Sequence, residues 1–340
     1  MKRTVVAAGR SSGMFKLLAD SQWRNSRLLI LGYHSFPLKD EVEWNPALYM
    51  APGQFRSRME AIRRHDCTVL ELGVALDLLQ ANKLPPRSVV LTFDDGTCDF
   101  YKIACPILKE FGYPATLYLT TYYVTHPFPV TPGVWRYMFW NKRRSVVETG
   151  GMLGDNARFD LRTREGRDDA VMRLAAFARS QGFNGEQKNR LSRQLAELLG
   201  FDYEDLCRRK MFHLLLPEEV KALAAQGVSV QLHTHRHYSP DDREQYLREI
   251  EDNKREIVDL VGTEPRHFCY PSGDHKPQYL QWLRDAGIES ATTCDLGIVE
   301  RSTDRLLLPR LVDTSSLSDE EFEGWLAGFG ALLPHRKRHA

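Results

Sequence analysis

Short apolar runs alternate with amphipathic stretches along nearly the whole of this 340-residue chain. The short runs predict strands, and the stretches between them have the periodicity of helices, several of which end at a glycine. Such alternation favours a parallel sheet flanked by helices, either closed or open. The predicted strands are Leu28–Tyr33, Val89–Phe93, Ala115–Thr120, Val228–Leu232, His267–Tyr270, Glu289–Thr293 and Leu306–Val312. The predicted helices are Gln54–His65, Val74–Asn82, Asp99–Phe111, Pro217–Gln226, Asp241–Val261, Pro277–Ala286 and Ser318–Phe329.

One connection between predicted strands is much longer than the others. Residues 121–227 separate two strands, whereas a connection in an α/β unit normally takes a few tens of residues at most. Helical periodicity in Asp168–Gln181 and Glu186–Leu199 indicates a helical insertion, which either only packs on the scaffold or forms a lid over substrate. The predicted organisation is an N-terminal extension (1–26), a single barrel domain (27–330) with an insertion at about 136–210, and a basic tail (331–340).

Composition excludes some classes of function. Lys and Arg number 46 against 45 Asp and Glu, and this balance argues against nucleic-acid binding, which usually needs a concentrated basic excess. No apolar run is long enough for a membrane-spanning helix. The apolar stretch Thr4–Ala8 is interrupted by Gly9 and Arg10, so it is too short for a secretory signal, and we expect a cytoplasmic protein unless a leader has been removed.

Polar side chains follow four predicted strands at the points where these strands end. Because the carboxyl ends of parallel strands form the face on which barrel active sites assemble, we expect these side chains to meet. They are His34, the pair Asp94 and Asp95, the three histidines His233, His235 and His237, and Arg310.

These residue types suit a hydrolytic metal site. His233 and His237 are four residues apart, which suits two ligands of one metal ion if the chain makes a helical turn. If the chain stays extended, His235 shares a face with both of them and competes as a ligand. Two imidazoles and one carboxylate leave positions open for water. Of Asp94 and Asp95, one can bind the metal while the other acts as a base, unless both only cap the following helix.

Three short motifs resemble those of the NodB-homology polysaccharide deacetylases, carbohydrate esterase family four. The family's T-F-D-D-G motif matches Thr92-Phe93-Asp94-Asp95-Gly96, and its H-(S/T)-x-x-H motif matches His233-Thr234-His235-Arg236-His237. Its third motif region resembles Phe268-Cys269-Tyr270-Pro271-Ser272-Gly273. The resemblance covers most of residues 27–313 apart from the insertion.

This resemblance implies a distorted (β/α) barrel that holds a divalent metal ion, commonly zinc. It makes Asp95, His233 and His237 the metal ligands, and Asp94 the base that accepts a proton from the attacking water.

The resemblance also implies supporting roles around the metal. Backbone N–H groups near Ser272, beside Tyr270, would hold the oxyanion of the tetrahedral intermediate. Thr234 would either orient an imidazole through its hydroxyl or cap a turn.

The chain departs from the common family pattern in two places. Many members carry an arginine in the third motif that holds the catalytic Asp; here it is missing, and Arg310 could supply the same bidentate pairing or could pair a surface acid instead. The usual C-terminal strand that ends in a catalytic His is absent after Arg310. Leu29 to His34 at the start of the chain is similar to that strand in the circularly permuted branch. We therefore expect His34 to be the general acid, opposite Asp94 across the metal.

The sequence therefore predicts a metal-dependent hydrolase that removes N-acetyl groups from amino sugars of a polysaccharide or related glycan. One alternative is a deformylase or amidase that acts on a glycolipid or small amide with the same residues. Another is a non-catalytic glycan-binding or assembly protein that retained the barrel.

Overall fold

A computed structural model describes residues 2–154 and 156–334. Its main sheet contains eight parallel strands, seven of which lie in the order β10-β1-β3-β4-β7-β8-β9, while β2 pairs with the first half of β3. The strands are β1 (Leu29–Tyr33), β2 (Thr68–Leu70), β3 (Ser88–Phe93), β4 (Thr116–Leu119), β5 (Val146–Glu148), β6 (Arg158–Asp160), β7 (Ser229–Leu232), β8 (His267–Cys269), β9 (Ser290–Thr292) and β10 (Leu311–Val312).

Helices surround this sheet, as the alternating pattern predicted. They are α1 (Lys2–Ser11), α2 (Met14–Ala19), α3 (Gln22–Asn25), α4 (Glu41–Trp44), α5 (Pro52–Arg64), α6 (Leu72–Gln80), α7 (Cys105–Phe111), α8 (Tyr122–Thr125), α9 (Thr131–Asn141), α10 (Arg164–Ser180), α11 (Gly185–Leu199), α12 (Tyr203–Arg209), α13 (Pro217–Ala225), α14 (Arg243–Val261), α15 (Pro277–Asp285), α16 (Asp319–Leu326) and α17 (Phe329–Leu332). A π-helical turn (Phe100–Ala104) precedes α7, and a 3₁₀ turn (Pro271–Gly273) follows β8. No helix in the described part of the chain is both long enough and apolar enough to cross a membrane.

The segment after β9 closes the sheet into a distorted barrel. Leu308 pairs with Thr292 of β9, and Leu311 pairs with Leu31 of β1, so the segment joins two opposite edges of the sheet. The expected distorted (β/α) barrel is confirmed. Strand residues such as Leu31 are fully buried, because helices cover the sheet.

The prediction of one continuous strand over Leu306–Val312 is wrong. Only Leu311–Val312 forms a strand, because the chain leaves β9 at Pro309, which lacks the N–H group needed to continue a ladder. Because of this bend, the segment that contains Arg310 runs from β9 at one edge of the sheet to β1 at the other.

The long connection contains α9 to α12 and an antiparallel hairpin of β5 and β6, which the sequence analysis did not predict. These elements share a hydrophobic cluster of their own that includes Trp135, Leu174 and Leu195. The cluster extends onto Trp44 of α4, where the ring of Phe212 packs at a centroid distance of 5.5 Å. The insertion is therefore packed against the mouth of the barrel.

The N-terminal region forms three helices that the sequence did not indicate. Phe15 of α2 packs against Phe329 of α17 at a ring-centroid distance of 5.2 Å, and Val6 of α1 belongs to the same cluster. Residues 335–340, most of the predicted basic tail, lie outside the described residues.

Candidate metal and catalytic site

The carboxyl ends of β1, β3 and β7 bring most of the predicted site residues together. Three ligand atoms, one each from Asp95, His233 and His237, lie within 4.8 Å of one another. Asp95 Oδ1 lies 3.0 Å from His233 Nε2 and 3.2 Å from His237 Nε2. Ligand atoms about 2.0–2.2 Å from a tetrahedral zinc ion would lie roughly 3.3–3.5 Å apart, so the donor set fits a metal ion of this size.

The charges of this cluster stabilise one another, and they keep Asp95 in the ionised form that binds a metal ion. Burial raises the pKa of Asp95, but His237 and His233 outweigh it and hold that pKa well below its ordinary value. Burial lowers the pKa of His233, but the Asp95 carboxylate outweighs this effect, so the net pKa is raised. Asp95 is therefore ionised at neutral pH, and its negative charge attracts a cation.

Buried polar groups fix the orientation of His233. Its Nδ1 lies 2.8 Å from the carbonyl oxygen of Cys269, so Nδ1 carries the proton and Nε2 presents its lone pair to the cluster. Its backbone N–H donates to Asn253 Oδ1 at 2.9 Å, while Asn253 Nδ2 donates to the carbonyl of Leu119. The sequence analysis missed Asn253, although a polar residue on the apolar face of α14 is a visible signal.

His235 lies outside the ligand cluster. Its Nδ1 lies 2.9 Å from Thr121 Oγ1, and burial is the main reason why its pKa is lowered to about 4. Thr234 accepts a hydrogen bond from the backbone N–H of Tyr238 at 3.0 Å. Thr234 therefore caps the turn that carries His237, which is the second of the two roles that the sequence analysis left open.

Asp94 is paired with Arg310 in the interior of the barrel. The two terminal guanidinium nitrogens donate to the two carboxylate oxygens at 2.8 Å each, and neither side chain is more than 2% exposed. Burial raises the pKa of Asp94, but Arg310 outweighs it, and the net pKa is lowered. A Cβ atom at Gly32 would lie 3.3 Å from Arg310, so a glycine inside β1 gives the guanidinium room.

His34 lies beside Asp94, with 3.4 Å between Nε2 and Asp94 Oδ2. The sequence analysis expected His34 opposite Asp94, whereas in the structure the two side chains are neighbours. The reason is the sheet register: β1 and β3 are adjacent and parallel, and Tyr33 pairs with Phe93, so the next residue of each strand leaves the sheet on the same side. About one fifth of the His34 side chain remains exposed to solvent.

The third motif contributes Ser272 but not Tyr270. Ser272 lines the same cavity as His34 and has a left-handed backbone, with φ of 59°. Tyr270 is fully buried; its backbone N–H donates to Thr292 and its hydroxyl to the carbonyl of Leu306. The prediction that Tyr270 contacts oxyanion or substrate is wrong, because both of its donors are used inside the fold.

Four residues at or beside this cluster have a left-handed backbone. Asp95, Thr234, His237 and Ser272 are non-glycine residues with φ between 56° and 70°. Side chains in this left-handed region cost free energy, and such residues occur disproportionately at functional sites.

Two cavities are lined by different residues of the candidate site. One, of about 280 Å³, is lined by Asp95 and His237 together with aromatic residues that include Trp44 and Phe212. The other, of about 460 Å³, includes His34 and Ser272 among its lining residues. The site therefore has two approaches, one bounded by the insertion and one by the C-terminal helices.

The chain thus combines a curled parallel sheet with three side chains at its carboxyl edge that could hold a metal ion. A sequence model of the polysaccharide deacetylases matches residues 81–159 and 168–291, which is more than half of the chain. The chain belongs to the polysaccharide deacetylase family.

Two curated relatives are poly-β-1,6-N-acetyl-D-glucosamine N-deacetylases. The Staphylococcus epidermidis protein is 28% identical over 115 residues, which are 30% of this chain and 39% of the relative. The Staphylococcus aureus protein (strain MSSA476) is 36% identical over 75 residues, 22% of this chain and 26% of the relative. The match thus spans at most 39% of the length of these two relatives.

Solved structures have the same fold. The Streptococcus pyogenes deacetylase PplD in complex with acetate aligns with a TM-score of 0.58 and 19% identity, over 91% of this chain and 99% of that chain. IcaB from Ammonifex degensii aligns with a TM-score of 0.54 and 17% identity, over 90% of this chain and 97% of that chain.

Proposed function

We propose that this protein is a metal-dependent hydrolase that removes N-acetyl groups from amino sugars of a glycan. The observation that carries the proposal is the buried Asp94–Arg310 pair next to the cluster of Asp95, His233 and His237. Two curated relatives are named as N-deacetylases of poly-β-1,6-N-acetyl-D-glucosamine, and the PplD structure contains acetate. These names support the same chemistry here.

The proposed metal ligands are Asp95 Oδ1, His233 Nε2 and His237 Nε2. Nitrogen and oxygen donors in this number suit Zn²⁺ with positions left for water and substrate. A bound divalent ion would supply a Lewis acid that polarises the amide carbonyl and lowers the pKa of a coordinated water. The Cys269 carbonyl supports this role by keeping His233 in the required tautomer.

Asp94 is the proposed base. Arg310 keeps this buried carboxylate ionised, so that it can accept a proton from the attacking water. The guanidinium also fixes the carboxylate plane through both oxygens, which preserves the direction of proton transfer.

His34 is the proposed general acid. An amide releases its amine poorly unless the nitrogen is protonated, and a histidine can donate that proton near neutral pH. Its Nε2 lies beside Asp94, so proton acceptance and proton donation would occur on one side of the scissile amide. The backbone near Ser272, which lines the same cavity, is the proposed oxyanion donor.

A non-catalytic glycan-binding role has less support. Glycan binding alone does not require an ionised aspartate that is 2% exposed and held by an arginine with no exposed surface. Burial of charged groups is costly, so a buried pair beside a metal-binding cluster favours catalysis.

The test combines metal content with acetate release. Purified full-length protein should contain about one equivalent of divalent metal and release acetate from acetylated chitooligosaccharides. Asp94→Asn should keep the metal and lose on the order of 10²–10⁴ in kcat. Bound metal with no acetate release from any N-acetylated glycan would contradict the proposal, and loss of metal in Asp94→Asn would contradict the assigned division of labour between Asp94 and Asp95.

A further inference from the structure

Two cavities meet the candidate site, and the proposed general acid lines only one of them. His34 and Ser272 line the larger cavity, of about 460 Å³, whereas Asp95 and His237 line the smaller one, of about 280 Å³. Leu48 lines both, so the two cavities adjoin. A substrate that reaches the general acid and the candidate metal ligands therefore extends from one cavity into the other.

The position of His34 decides which end of the substrate lies in which cavity. A general acid must reach the amide nitrogen, and that nitrogen carries the sugar. The sugar therefore belongs in the larger cavity, where the half-buried Glu321 has no hydrogen bond to Oε1 among the described residues and can accept one from a hydroxyl group. The acyl group is on the other side of the amide, so it lies in the smaller cavity, beside Asp95 and His237.

The walls of the smaller cavity are mostly apolar. The ring of Trp44 packs against Phe212 at a centroid distance of 5.5 Å and against Tyr49 at 6.0 Å, so these rings are held in place by one another. Such rings present hydrocarbon surface to a group that enters the cavity. The apolar lining residues include Trp44, Tyr49, Tyr123, Val130, Phe212 and Leu214.

Several polar side chains of the smaller cavity already have partners within the protein. The hydroxyl of Thr97 donates to Asp99 at 3.0 Å, and that of Thr120 donates to a backbone carbonyl at 3.3 Å. Arg236 is paired with Glu249 at 2.6 Å. The threonine protons and the Arg236 charge are therefore engaged, and the remaining wall suits hydrocarbon better than the hydroxyl groups of a sugar.

The smaller cavity is much larger than an acetyl group requires. Roughly 10–15 Å³ of such a volume holds one water molecule, and a methyl group is only slightly larger than water. A volume of about 280 Å³ exceeds this requirement by about an order of magnitude. An acetyl methyl would leave most of the apolar wall without contacts, whereas a longer acyl chain would bury its methylenes there.

We infer that the protein hydrolyses N-acyl amino sugars whose acyl group is longer than acetyl, with the acyl chain in the smaller cavity. This inference rests on the proposed function and extends it from acetyl to larger acyl groups. Water adds to the acyl carbon and gives a proton to Asp94, and the C–N bond breaks as His34 protonates the nitrogen. The products are a carboxylate and the free amino sugar.

The test uses N-acetyl, N-propionyl, N-butyryl and N-hexanoyl derivatives of one chitooligosaccharide. Formation of the free amine is measured as kcat/KM, and each value is divided by the rate of alkaline hydrolysis of the same amide, which removes intrinsic differences in reactivity. For each methylene that enters the smaller cavity, this normalised kcat/KM should rise about two- to fourfold, until the chain fills the cavity.

Two substitutions at Val130 change the size of the cavity in opposite directions. Val130 lines it immediately before α9. Val130→Phe should lower the ratio of hexanoyl to acetyl kcat/KM about tenfold, and Val130→Ala should shift the preferred acyl group to a longer chain. Because each result is a ratio within one variant, a partly unfolded preparation does not change it. Val258→Phe is the matched control, since Val258 is 38% exposed on α14 and lines neither cavity; it should keep the native ratio.

The inference and the proposed function fail in different ways. A normalised kcat/KM that is highest for acetyl and falls with each added methylene would overturn the inference and leave the proposed function intact. Unchanged acyl preferences in both Val130 variants would also overturn it. Absence of amine formation from every derivative, acetyl included, would instead refute the proposed function.

Discussion

Replacing Arg310 by Met should leave the Asp94 carboxylate buried without its countercharge. Methionine fills part of the space of the arginine stem but supplies none of the donors that now reach both carboxylate oxygens at 2.8 Å. Removing one partner of a buried ion pair typically costs about 3–5 kcal/mol of folding free energy. We expect a loss in this range at pH 8, because neither side chain is more than 2% exposed and water cannot replace the guanidinium.

The free energy of unfolding that Arg310→Met loses should depend on pH, because Asp94 is ionised only above its pKa. In the native protein burial raises the pKa of Asp94, but Arg310 outweighs it, so the net pKa is lowered. The stability from this group is therefore present above the unfolded pKa of about 4 and is lost as pH falls through the lower folded pKa. In Arg310→Met, burial should instead raise the folded pKa of Asp94. The free energy of unfolding lost in Arg310→Met is then small below pH 4. It grows as pH rises toward the raised pKa of Asp94 in the folded variant.

The assay is urea unfolding of both proteins without metal at pH 4.5 and pH 8. Arg310→Met combined with Asp94→Asn should recover much of the loss at pH 8, because it removes the buried charge. Arg56→Met is the control: Arg56 pairs bidentately with Glu110 at 2.7 and 2.8 Å, but both side chains are exposed, so the change should be much smaller. An equal loss at both pH values, or no recovery in the double variant, would refute the reasoning.

Three further predictions address the ligands, the acid and a buried carboxyl group. His237→Ala should lose its metal on dialysis, whereas His235→Ala should retain it; elemental analysis checks this, and the reverse result would exchange their roles. His34→Ala should abolish release of acetate from an amide but retain much more activity on an activated acetate ester; equal losses would point to a structural or binding role. Burial raises the pKa of Asp99 from 3.8 to about 7, so the contribution of Asp99 to the free energy of unfolding should fall as pH rises from 4 to 7. Asp99→Asn should remove that fall, and its unfolding free energy should exceed that of the native protein by up to roughly 4 kcal/mol at pH 8; a pH-independent difference would contradict this.

The sequence was most informative where a strand ended in a polar residue. Asp94, Asp95 and His233 follow strands whose apolar residues are continuous, and the structure has strands ending within one residue of those predicted. Local patterns suffice here, because parallel strands buried on both faces read as unbroken apolar runs. The bend at Pro309 was harder to predict, since it depends on how the chain crosses between two edges of the sheet.

Positions that depend on long-range pairing could not be predicted. The proximity of His34 and Asp94 follows from the pairing of β1 with β3 and from its register, neither of which leaves a local signal. The hydrogen bonds of Asn253 likewise join α14 to β4 and β7. Helices α1 to α3 were missed because short amphipathic segments are stabilised mainly by tertiary packing, here against α16 and α17.

The segment that closes the barrel also places Arg310 against Asp94 in the candidate site. Arg310 lies between Leu308, which pairs with β9, and Leu311, which pairs with β1. Its guanidinium reaches Asp94 at the end of β3, the neighbour of β1, and also donates to the carbonyl of Thr293 after β9 at 2.9 Å, so it links the two sides of the sheet that the segment joins. The carboxylate therefore obtains its countercharge only when the barrel is closed, and an open barrel would contain an isolated buried carboxyl group whose pKa is raised. An ionised, oriented Asp94 is thus a consequence of the closed fold.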